Sequence, residues 1–82
     1  MLEGKYLRFI KIWPEAKKLP VYRIANRKDE YLGILSFYPQ WRKYVFAPSL
    51  LCKFDATCLS EIIDALNIIN EKRREGLLNE ED

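Results

Sequence analysis

The sequence predicts an α+β domain, an antiparallel meander of about four strands followed by one C-terminal amphipathic helix packed on the sheet. Three observations carry this expectation. Up to Pro48, prolines and polar turns separate short runs rich in β-branched and aromatic residues. From Leu59 the apolar residues recur at i, i+3 and i+4, the spacing of a helix with one buried face. The chain has 82 residues, 49% hydrophobic and 13% aromatic, which is the composition of a folded chain rather than a disordered one.

Tyr6–Trp13 (YLRFIKIW) reads as the first strand, ended by Pro14, and Pro14–Pro20 as a polar loop. Val21–Asn26 is the second strand, and Arg27-Lys28-Asp29-Glu30 turns into the third, Tyr31–Tyr38. Pro39-Gln40 is expected to turn the chain into a fourth strand, Trp41–Phe46, closed by Pro48. Asp55 is the expected N-cap of a helix over about residues 56–74, with Leu59, Ile62, Ile63, Leu66 and Ile69 on the sheet. Lys72, Arg73 and Arg74 oppose the helix dipole in the last turn, and Gly76 stands at C′. The expected domain is 1–76, with 77–82 a frayed acidic tail; no repeat or low-complexity linker divides it.

One helix of this length covers one face of such a sheet. In the third strand Tyr31, Gly33, Leu35 and Phe37 share one face and Leu32, Ile34, Ser36 and Tyr38 the other, so neither is polar. Self-association, or a ligand on the second face, is therefore expected. Charge is uneven as well. Residues 1–53 carry eleven Lys/Arg against four acids, +7, and residues 54–82 carry three against eight, −5. That division suits a basic surface for a phosphate-bearing partner with the acidic end held away, or attraction between the halves.

Several function classes are disfavoured. No run approaches the roughly 20 apolar residues of a membrane span, and Glu3, Lys5, Arg8 and Lys11 interrupt the N-terminus, unlike a signal peptide. A soluble, cytoplasmic protein without membrane contact is expected. Cys52 and Cys58, with five residues between them and no histidine in the chain, fit no structural zinc pattern and are expected to be reduced thiols. Without histidine, a Gly-rich phosphate loop or a nucleophile elbow, enzymatic chemistry has no visible machinery. The acids Glu61, Asp64 and Glu71 are expected on a solvated helix face, and no cofactor or metal is expected.

The most specialised stretch is Tyr38–Pro48, where aromatics, two adjacent cations and two prolines fall within eleven residues. Aromatic faces stack on planar groups and a guanidinium grips phosphate with two parallel hydrogen bonds. Trp41, Arg42, Tyr44 and Tyr38 are therefore candidate ligand-binding residues, with Arg23 on a neighbouring strand as a possible second wall of one anion pocket. Cross-strand aromatic pairing alone is the structural alternative. If the fourth strand starts at Trp41, Arg42 and Lys43 alternate and face opposite sides, leaving one of them for any one site.

The run Leu32-Gly33-x-Leu35-x-Phe37-Tyr38-Pro39-x-Trp41-Arg42-x-Tyr44-Val45-Phe46-x-Pro48, then Phe54, Cys58-Leu59 and Ile62, resembles a family of small uncharacterised proteins of bacteria and their phages. That family shares a W-Y-x-x-W-R-x-Y-V-F-x-P hairpin leading into an F-x-x-x-C-L-x-x-I helix start. Phe37 stands here where a tryptophan is usual. The resemblance covers about residues 31–66 and implies the hairpin-plus-helix layout and a phage-linked origin. The function expected from all this is a non-enzymatic, self-associating protein that sequesters a phosphate-containing nucleotide signal, as a phage counter-defence protein would. The alternative is a protein-protein interaction module using the open sheet face. Nucleic acid ranks below both, because no nucleic-acid motif is present.

Overall fold

Val21–Asn26 and Tyr31–Tyr38 are strands with the bounds their residue patterns predict, and Ala56–Arg74 is the predicted helix. The computed structural model describes residues 2–14 and 18–78, so the middle of the Pro14–Pro20 loop and the last four tail residues lie outside the described residues. Within them the strands are β1 (Leu2–Glu3), β2 (Leu7–Ile12), β3 (Val21–Asn26), β4 (Tyr31–Tyr38) and β5 (Lys43–Pro48), followed by α1 (Ala56–Arg74). All neighbours pair antiparallel in the order β1-β2-β3-β4-β5. The predicted meander and its C-terminal helix are present, and a two-residue β1 fringes the edge.

The last strand departs from expectation. β5 begins at Lys43, not Trp41, because a two-residue hairpin turn needs positive φ at its first central residue and the proline ring fixes φ near −65°. Pro39 cannot supply that. The connection lengthens to Pro39–Arg42, between the paired residues Tyr38 and Lys43.

A register shift between Ile24 and Ala25 also revises the faces of β4. Ile24 pairs with Gly33 while Ala25 pairs with Tyr31, leaving Leu32 as the extra residue of a bulge. Tyr31 thus joins the open face, where the Arg23 guanidinium lies 6.0 Å from its ring centroid, and Leu32 packs against the core.

The core lies between the sheet and α1. Leu7, Phe9, Tyr22, Ile24, Leu35 and Tyr44 face Ile62, Ala65 and Ile69 of the helix. Of the predicted helix stripe, Ile62 and Ile69 are buried and Leu66 packs partly against the core. Leu59 and Ile63 are exposed, because the buried line runs through Ala65, whose small side chain lets helix and sheet approach closely.

Both helix ends follow their sequence signals. The Asp55 carboxylate accepts from the Cys58 N–H at 2.9 Å, which holds its pKa below the usual carboxylate value. At the other end Gly76, at φ 75°, reverses the chain, with Gly76 N–H donating to the Arg73 carbonyl and Leu77 N–H to the Lys72 carbonyl. The reversal returns Leu78 to the core at 4% exposure, so the packed domain extends past residue 76 to at least Leu78.

Glu61 has a structural task that its place on a helix surface conceals. Its carboxylate accepts from the N–H groups of Tyr6 at 3.0 Å and Leu7 at 3.0 Å, clamping the β1–β2 connection to α1. Gly4 makes room for it; a Cβ there would overlap the carboxylate. Arg27 closes the same corner by donating to Glu3 and to the carbonyls of Gly4 and Lys5.

Among the described residues no helix lies on the opposite sheet face. Ile10, Arg23, Ile34 and Ala47 form one row across it, with Ile12 beside Val21 and Ser36 beside Val45. Among the described residues no helix is long and apolar enough to cross a membrane.

Candidate functional site

The Pro39–Arg42 turn stands over the last two turns of α1, and the space between them is a cleft of about 540 Å³. Pro39 starts the turn, with Trp41 N–H donating to the Tyr38 carbonyl and Arg42 N–H to that of Pro39. Arg42 closes it at φ 54°, a left-handed conformation suited to glycine or asparagine. A bulky residue held there is strain of the kind that clusters at functional sites. Trp41 is 64% exposed, propped edge-on against Tyr38 with ring centroids 4.9 Å apart.

The helix supplies the other wall. Asn67, Asn70, Glu71 and Arg74 recur at i, i+3, i+4 and i+7, and this polar stripe lines the cleft. The Asn70 side-chain oxygen accepts the Tyr44 N–H at 2.7 Å, which ties the helix to β5 and occupies a backbone donor on the sheet edge. Arg73 stands half-buried behind the turn. Its Nη2 donates to the Arg42 carbonyl at 2.9 Å and its guanidinium lies 5.1 Å from the Phe37 ring centroid.

Arg42, Lys43, Arg73 and Arg74 thus line one cleft, and among the described residues Glu71 is the single carboxylate beside them. Paired guanidinium groups beside an exposed indole can hold a phosphate and stack a planar ring. The chain contains no histidine. Among the described residues, no three carboxylates or thiols converge as metal ligands.

The structure sorts the five predicted site residues. Trp41 and Arg42 line the cleft, and Lys43 joins them because Arg42 belongs to the turn rather than to the strand, contrary to the expected alternation. Tyr38 buttresses Trp41 from outside. Tyr44 points inward: it is 2% exposed, its hydroxyl donates to the Pro20 carbonyl at 2.6 Å, and its ring meets Tyr22 and Phe37 edge-on. Burial pushes its pKa up to about 12 against the opposing pull of Arg73. Arg23 lies on the open sheet face, away from the cleft that Arg42 lines.

Sequence reasoning missed Arg73, Arg74, Asn67 and Asn70, reading the helix cations as dipole partners. The signal was present in the helical spacing. The charge division is also revised, since the acidic half contributes two of the four cations.

A second cleft, about 350 Å³, lies beside Arg73 and is lined by Trp13, Lys18, Leu19, Gly76 and Leu78. Comparisons with protein families, curated proteins and solved structures return no match.

Proposed function

We propose that this protein is a non-enzymatic binding protein that holds a phosphate-bearing nucleotide in the cleft between the β4–β5 turn and the end of α1. The observation that carries this reading is the convergence of Arg42, Lys43, Arg73 and Arg74 around an exposed Trp41. Phosphate is the ligand group that best suits several cations with little carboxylate competition, and the indole adds a stacking face for the base. The hairpin's resemblance to small bacterial and phage proteins supports a sequestering, counter-defence role for such binding, in which tight capture suffices without chemistry.

Thermal denaturation against a panel of nucleotides tests it. A ligand at 100 times its dissociation constant adds about 2.7 kcal/mol to stability, an easily read upward shift in Tm. Nucleotides should raise Tm and the matching nucleosides should not. Equal, negligible shifts from both would exclude a phosphate site.

The open face favours a second reading, an interaction surface for a second copy of the chain or another protein. Its central row of Ile10, Arg23, Ile34 and Ala47 is largely apolar and lies opposite the helix.

A further inference from the structure

We infer that the ligand is of the dinucleotide class, two ring systems joined through phosphate, and that it spans both clefts with its phosphate bridge beside Arg73. This inference rests on the nucleotide reading of the Trp41 cleft.

The two clefts share Arg73 as a common wall. Each presents a tryptophan, Trp41 at 64% and Trp13 at 48% exposure, where burial would be the rule for so apolar a side chain. Each also brings its own cations, Arg42, Lys43 and Arg74 on one side and Lys18 on the other. Among the described residues no carboxylate lines the Trp13 cleft.

Arg73 itself is incompletely satisfied. Its Nη2 donates to the Arg42 carbonyl, while its Nε–H is buried and, among the described residues, has no acceptor. A buried donor without a partner is costly, and a bridging phosphate is the acceptor a guanidinium takes most readily. One cleft of about 540 Å³ and another of about 350 Å³ each have room for a base or a nucleoside. A ligand that fills both gains from linkage, because its second half binds at high effective concentration once the first is seated.

Titration calorimetry on the intact chain distinguishes the possibilities, using AMP and ATP as one-ring probes and diadenosine polyphosphates of graded bridge length and cyclic dinucleotides as two-ring probes. The best two-ring probe should bind at least about 100-fold more tightly than either one-ring probe. Trp13→Ala should abolish that advantage and leave ATP binding unchanged. Lys18→Glu, at an exposed position where folding is not at stake, should do the same if Trp13→Ala misfolds. ATP binding as tightly as every two-ring probe overturns the bridging inference and leaves the Trp41 cleft intact. An advantage that survives both substitutions overturns it too. Absence of binding by any probe overturns this inference together with the nucleotide reading.

Discussion

Arg42 sets backbone strain against the proposed binding role at a single residue. In the left-handed region a side chain costs roughly 1–2 kcal/mol, whereas glycine's extra unfolded-chain entropy costs about 0.4–1 kcal/mol. Arg42→Gly should therefore hold or raise Tm while removing a cation from the cleft and weakening nucleotide binding at least tenfold. Calorimetry and thermal melts on the same sample check both halves, and a variant that binds like the parent removes Arg42 from the site. Tyr44 shows the opposite case, an apparent site residue whose work is structural. Its pKa rises to about 12 in the folded state from an ordinary 10. The protonated phenol is therefore favoured by folding, and its contribution is full below pH 10 and is lost as pH rises toward 12. Unfolding in denaturant at stepped pH should show stability falling across that window in the parent and less so in Tyr44→Phe. Composition alone does not rank Trp41 and Tyr44, because both are aromatics near one turn. What separates them is where β5 starts, and that was legible in Pro39, whose ring forbids the shorter turn.

At the scale of elements, the helix was legible end to end because Asp55, the cationic last turn and Gly76 act locally. Its buried face was harder to read. Periodicity admits a broad apolar stripe, and only packing against the sheet chose the line through Ile62, Ala65 and Ile69 over Leu59 and Ile63. Ile69→Ala should cost about 2–5 kcal/mol, Leu66→Ala less, and Ile63→Ala, at a 56% exposed position, within about 0.5 kcal/mol. Equal losses at Ile63 and Ile69 in chemical denaturation would sink this orientation. The β1–β2 clamp was illegible, since neither Gly4 nor Glu61 signals a partner 57 positions away. Gly4→Ala should destabilise by displacing the carboxylate from the Tyr6 and Leu7 N–H groups. In a Glu61→Ala background, where those bonds are already gone, the same change should cost little. Additive losses in the double-mutant cycle would show that Gly4 acts independently of Glu61.

For the whole molecule, the cleft and the open face lie on separate parts of the surface, so the proposed nucleotide capture and the proposed self-association should respond to different perturbations. The cleft is cationic and the proposed ligand anionic, so added salt should weaken binding. The open face is apolar with Arg23 at its centre and Arg8 at its margin, the latter paired with Asp29 at 2.8 Å. Two copies meeting through that face bring like charges together, so salt screens repulsion and leaves apolar burial in place. Light scattering across a concentration series should then report a dimer or larger species that salt strengthens, and Ile34→Asp should return it to monomer with nucleotide affinity unchanged. Arg42→Gly should do the reverse, retaining the oligomer while losing the ligand. A monomer at every concentration and salt excludes the second copy, leaving the open face to a different protein. An oligomer that Arg42→Gly dissolves would instead place the contact at the cleft, joining the two functions in one surface.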